Sequence, residues 1–178
     1  MFILYILIAL LVLILIRAAR ISSASLIEKH IEISRPPSEV FNYVKLLRNH
    51  ELFNKWTMTD PALKISYTGT DGTLGFSSHW KSEIKNVGEG HQTISGITNN
   101  SRIDYTIKFI KPFPGESTAY LITTEVQLDG VVGTRVTWGF ASHRNFMAKI
   151  LQTLINLERM LGKDLETSLL NLKKNLSH

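Results

Sequence analysis

Residues 2–16 read FILYILIALLVLILI, fifteen positions with no charge and with Tyr5 as the only polar side chain. This run constrains the chain more than anything after it. A helix with no polar face cannot lie half-buried on a water-soluble domain. At 1.5 Å per residue the run spans about 22 Å, or about 27 Å when carried on to Ala19. That is the short end for a hydrocarbon core of about 30 Å, and snorkelling by Arg17 and Arg20 would extend its reach. Three readings compete. A cleaved signal peptide carries its positive charge before the apolar core, whereas here the arginines follow it. A buried core helix is rarely apolar all round. A single-pass membrane anchor over residues 1–20 is the expectation. Because basic residues favour the cytoplasmic side, Arg17, Arg20 and Lys29 predict a cytoplasmic domain. Residues 21–26 (ISSASL) read as a short polar linker, leaving 27–178 as the domain.

That remainder is an ordinary single-domain length, and 44% of the chain is apolar, enough for a core without staples. The absence of cysteine excludes disulfides, iron–sulfur clusters and thiolate zinc sites. The net charge is +5, with Arg17 and Arg20 supplying two of those charges, and the longest basic run is Lys173-Lys174. Nucleic-acid binding needs a clustered basic face, so no nucleic-acid partner is expected.

Within the domain, Ile27, Lys29, Ile31 and Ile33 alternate with Glu28, His30 and Glu32, which is strand periodicity. Pro36-Pro37 ends the strand, and Ser38 reads as the N-cap of a short helix through Leu47. A second short helix or turn is expected at HELFNKW. Alternation at Leu63–Tyr67, Leu74–Trp80 and Ile103–Phe109 marks further strands, as do AYLITTEVQL and TRVTWGF. Closely spaced strands of this kind form antiparallel sheets. From Asn145 to Lys174, Met147, Ile150, Leu154, Leu157, Leu161, Leu165, Leu169 and Leu172 step by three and four. The pattern predicts one long helix with a continuous apolar stripe and a bend at Gly162. A long helix laid across a curved antiparallel sheet is an α+β architecture.

Four stretches also carry a family likeness: ISRPPSEVFNYV, NKWTMTDP, GTLGFSSHWKSEIKNVGEG, and TRVTWGF followed by LGKDLETSLLNLK. In order and spacing they resemble the helix-grip fold of the START-like, birch-pollen-allergen (Bet v 1-like) superfamily. More narrowly, they are similar to its bacterial polyketide cyclase / dehydrase and lipid transport group. The resemblance implies a curved sheet wrapped around the C-terminal helix, often enclosing a cavity, and an N-terminal apolar segment is common in the group. It leaves activity open, because the fold hosts binders, transporters and enzymes.

No G-x-S-x-G, H-E-x-x-H or G-x-x-x-x-G-K-[ST] motif occurs. Gly88-Glu89-Gly90 lacks the third glycine of a dinucleotide site. No two histidines stand at the i, i+4 spacing of a helical metal site, so neither metal nor cofactor is expected. His143, just past the last strand, is the weak candidate for an acid–base residue. The aromatic residues Phe76, Trp80, Tyr105, Phe109, Tyr120 and Trp138 fall on strand faces expected to turn inward. Core packing accounts for each of them singly. Together with Ile107, Leu154 and Leu161, and with polar atoms from Ser78, Thr124 and the tyrosine hydroxyls, they are the expected lining of a ligand cavity. The expected function is binding of a small hydrophobic or lipid-like ligand beside the membrane. A polyketide cyclase/dehydrase-type enzyme and a fully packed interaction domain are the rivals.

Overall fold

The computed structural model describes residues 1–177; His178 lies outside them. The apolar run forms one helix, α1 (Phe2–Arg20), with Arg17 and Arg20 in its last turn. It is long and apolar enough to cross a membrane. Strand β1 (Ala24–Ile33) starts three residues before its alternation becomes visible. The linker expected over 21–26 therefore shrinks to Ile21–Ser23.

Helix α2 (Pro37–Val44) begins directly at the second proline. Pro37 occupies the first helical position, where its missing N–H has no intrahelical acceptor to lose and its φ is already helical. It, not Ser38, sets the start. A 3₁₀ turn (Leu47–Leu52) and α3 (Lys55–Thr59) follow, and the Asn54 side chain caps α3 by accepting from the Trp56 amide at 3.0 Å. Strands β2 (Lys64–Thr68), β3 (Ser77–Lys81), β4 (Glu89–Thr98), β5 (Arg102–Lys111), β6 (Gly115–Leu128) and β7 (Val131–His143) complete the sheet. Their order is β1-β7-β6-β5-β4-β3-β2, antiparallel throughout.

The register gives the sheet two ends. The proximal end, where the chain arrives from α1, holds Ala24 paired with His143, the start of β6 and the end of β5. The distal end holds the β6–β7 turn at Asp129-Gly130, both with positive φ.

The expected single C-terminal helix is two helices. α4 (Phe146–Leu154) stops at Ile155, whose backbone is extended, and α5 (Leu157–Leu176) starts from Asn156, which caps the Arg159 amide at 3.0 Å. Gln152 Oε1 accepts from the Leu157 amide at 3.1 Å and fixes the corner. Gly162 is not the bend. It sits inside α5, where a Cβ would lie 3.3 Å from Lys29 Cε, so it permits close approach to β1. α4 packs against α1 and α5 against β1. The apolar stripe continues through both helices, but only α5 buries it in the core; α4 half-buries its middle turns against α1 and leaves Met147 and Leu154 exposed.

Candidate functional site

α5 lies close to β1 and stands off from β3–β5. What fills the gap differs along the helix. Distally, Val40, Phe41 and Val44 of α2 meet Ile33, Ile103, Leu121, Val136, Leu169 and Leu172 in a closed core. Proximally, the short α3 offers only Trp56 and Thr57 to the space, and a cavity of about 220 Å³ remains. A single water needs only about 10–15 Å³ of such volume.

The sheet wall of this cavity carries Ser78 and Trp80 of β3, Gln92 of β4, Ile107 and Phe109 of β5, and Trp138 and Phe140 of β7. α5 closes it with Leu161 and Leu165, and Leu63, Ile65 and Tyr67 line the β2 side. The Trp80 indole lies over Gly90, its cross-strand partner, where any Cβ would come within 2.6 Å of the ring. Trp80 Nε1 donates to the Val87 carbonyl at 3.1 Å, so its ring is held on the wall. Ser78 and Gln92 are direct cross-strand neighbours, both facing the cavity. They form a polar pair in an otherwise largely apolar surface.

His50 forms the floor. Its Nε2 lies 2.8 Å from the Val44 carbonyl oxygen. A carbonyl only accepts, so Nε2 carries the proton and Nδ1 is a bare acceptor. Nδ1 has no partner. Burial lowers the pKa of His50 to about 4 against the opposing pull of the Val44 carbonyl and Asp71, so the ring is neutral at pH 7. The Tyr105 hydroxyl reaches the same carbonyl at 3.4 Å, and burial raises its pKa. The rings of Phe53, Tyr105 and Trp138 surround the imidazole at 4.9, 5.7 and 6.0 Å. This knot separates the packed half from the hollow one. On the β2 side the Tyr67 hydroxyl donates to Glu51, with its pKa raised first by burial and then by that bond.

Of the ten residues expected to line a site, Ser78, Trp80, Ile107, Phe109, Trp138 and Leu161 border the cavity. Phe76 and Tyr105 face inward but are enclosed in the core, Phe76 stacked on Tyr67. Tyr120 is on the other face of the sheet. It lies over Gly139, its hydroxyl donates to Glu28 at 2.5 Å, and Arg102 stacks on its ring. β6 turns Ala119, Leu121 and Thr123 inward, so the expected inward phase was off by one residue and Thr124 also points out. Leu154 ends α4 and is 65% exposed, outside the cavity, because the helix has turned onto α1 there. His143 is exposed at the end of β7. His50, Asn54, Trp56 and Gln92 were not anticipated. His50 and Asn54 sit in a segment with no regular period, and Gln92 follows two glycines that hide the alternation. Among the described residues no three His, Asp or Glu side chains converge as a metal-ligand group.

Residues 26–177 match the family described as polyketide cyclase / dehydrase and lipid transport. No curated protein sequence matches the chain. Among solved structures, protein Ms6760 from Mycobacterium smegmatis superposes with a TM-score of 0.56 at 16% identity, covering 85% of this chain and 90% of that one. Ara h 8.0201 does so at 0.51 and 17%, over 83% and 98%. The Aha1 protein from Colwellia psychrerythraea, solved as a dimer, does so at 0.55 and 12%, over 85% and 96%. These likenesses establish the fold.

Proposed function

The chain belongs to the polyketide cyclase / dehydrase and lipid transport family, and from that premise we propose that it binds a small hydrophobic ligand in the proximal cavity while α1 holds it at a membrane. The observation that carries this reading is the unfilled apolar space between α5 and β3–β5, in a sheet whose other half is fully packed. The space is partly open and roomy enough for water, which an apolar lining holds poorly. An apolar occupant displaces that water and takes the lining out of contact with it. A volume of ~150 Å³ holds benzene, so this one suits a ring system or a segment of acyl chain. Ser78 and Gln92 call for one or two polar atoms on the ligand, and the rest of it should be apolar.

Binding is favoured over catalysis by the state of the titratable groups. Glu51 is engaged by Tyr67, and His50 is a neutral ring tied through Nε2 to a carbonyl. The membrane part rests on α1, whose trailing arginines favour a cytoplasmic domain.

The test is native mass spectrometry of the detergent-extracted full chain, with titration of an environment-sensitive hydrophobic dye. A co-purified apolar mass, or saturable dye uptake lost in Ala119→Leu, is expected. No bound mass and no saturable uptake would overturn the reading. For orientation, the sequons at Asn99 and Asn175 should stay unmodified in a glycosylating host, and a glycan at either reverses it.

A further inference from the structure

The proximal end carries a set of exposed apolar side chains that no packing explains. Phe113, at the tip of the β5–β6 connection, is 75% exposed, and Ile84 of the β3–β4 loop is exposed beside it in the sheet order. α4 adds Phe146, Met147 and Leu154, followed by Ile155, all exposed, and has no buried residue of its own. Both loops join strand ends at the proximal edge, and α4 follows directly from the proximal end of β7. Exposed leucines and valines elsewhere, such as Leu74 and Val131, stand apart from any such element.

Two further observations select the occupant. First, the patch is continuous with α1. Ala18, the only buried residue of α1, sits on the helix that packs against α4, and Arg17 and Ile21 border one cleft with Gln152 through Asn156. Second, the charge around the patch is basic. Arg17 and Arg20 end α1, Lys85 is in the β3–β4 loop, Lys111 ends β5 and Lys149 is on α4, against Glu83, Glu116 and Asp60, which accepts from Ser82 of the β3–β4 loop. Glu89 is neutralised between Lys81 and Lys111, and Glu158 by Arg144. Exposed aromatic and aliphatic side chains on elements that also carry lysine and arginine suit a bilayer interface with anionic headgroups.

We propose that the proximal end is a second membrane contact: α4, Phe113 and Ile84 insert at the surface of an anionic bilayer and turn the cavity toward the lipid. The cavity lining already runs to Asn86, Val87, Phe109 and Phe140 at this end. Docking therefore gives an apolar ligand a path between bilayer and cavity that avoids water. The proposal rests on the reading of α1 as an anchor.

Because the chain has no cysteine, single introduced cysteines report without background. The full chain is reconstituted into vesicles of phosphatidylcholine and phosphatidylglycerol. A polarity-sensitive fluorophore is attached in turn at Leu10→Cys, Phe113→Cys, Met147→Cys and, as a distal control, Leu74→Cys. Far-ultraviolet circular dichroism matching that of the unmodified chain verifies the fold of each variant. The proposal expects blue-shifted emission quenched by deep spin-labelled lipid at 10, blue-shifted emission quenched by shallow spin-labelled lipid at 113 and 147, and neither effect at 74. It also expects the signal at 113 to weaken in phosphatidylcholine alone and in Lys85→Gln/Lys111→Gln. Water-like emission at 113 and 147 with a membrane signal at 10 overturns the docking and leaves the anchor standing. Water-like emission at 10 overturns the anchor reading and the proposal with it. Equal signals at 113 and 74, or a signal at 113 that is indifferent to anionic lipid, also overturn it.

Discussion

The distal half of the space between sheet and α5 holds Phe41, Val44, Leu121, Val136, Leu169 and Leu172, all essentially inaccessible. The proximal half, bounded by the same sheet and the same helix, is empty enough to hold a ligand. Composition does not separate them, since both are lined mostly by aliphatic and aromatic side chains. The difference is a third layer. α2 supplies an amphipathic helix whose apolar face plugs the distal half, whereas the five residues of α3 cannot plug the proximal one. The α3 segment is instead tied to α5, its Lys55 amide donating to Ser168 Oγ at 2.9 Å, while Asn171 Nδ2 donates to the Phe53 carbonyl at 3.2 Å. The interior is thus a packing problem solved twice, and a cavity remains where the solution is left incomplete.

The sharpest test of that contrast is leucine truncation along α5. Leu172→Ala, in the packed half, should lose roughly 2–5 kcal/mol. Leu161→Ala, which already faces the void, should lose about 1 kcal/mol. Urea denaturation at constant m-value measures both, and equal losses would erase the distinction.

His50 separates the halves, and its protonation should loosen them. The unfolded ring titrates near 6.5 and the folded ring near 4. As pH falls, the unfolded chain takes up the proton first. The stabilisation by neutral His50 is complete above pH 6.5 and is lost on descent to about 4, a change of about 3 kcal/mol. Chemical denaturation at a series of pH values should show this slope, and His50→Leu should flatten it.

Adding volume should distinguish the halves in the opposite sense. Val136→Phe overpacks the distal core and should cost about 1–3 kcal/mol. Ala119→Leu projects into the cavity, should cost less than that, and should abolish dye uptake. Leu154→Trp, on exposed α4, should change neither stability nor uptake. The smallest effect is expected at Tyr120→Phe, which deletes a partly exposed hydrogen bond to Glu28, worth under about 1 kcal/mol. Loss of dye uptake in that variant would place Tyr120 at the cavity after all.

Much of the wall was legible because alternation along β3 and β5 is clean. In β5, Ile103, Tyr105, Ile107 and Phe109 face inward as their period requires. β6 was misread because YLITTEV has apolar or bulky residues on both faces. Tyr120 on the outer face covers Gly139 and pairs with Glu28, and its hydrophobic ring gives the same signal as a core residue. Only the pairing of Leu121 with Trp138 reveals that Tyr120 must point away. The C-terminal stripe was misread for a related reason. Steps of three and four mark an apolar face, not what covers it: α5 buries its face in the core, whereas α4 packs against α1 and has no buried residue.

The sequence by itself determined the apolar first helix, six of the seven strands, the inward phase of β3 and β5, and the family, because these depend on near-neighbour spacing along one chain. The tertiary structure alone decided the phase of β6, the corner at Ile155, the floor at His50, and which half of the grip stays open. Each of those is fixed by the relative placement of segments remote in the chain: a one-residue shift in strand phase exchanges the two faces, and a void exists only where no remote segment arrives to fill it.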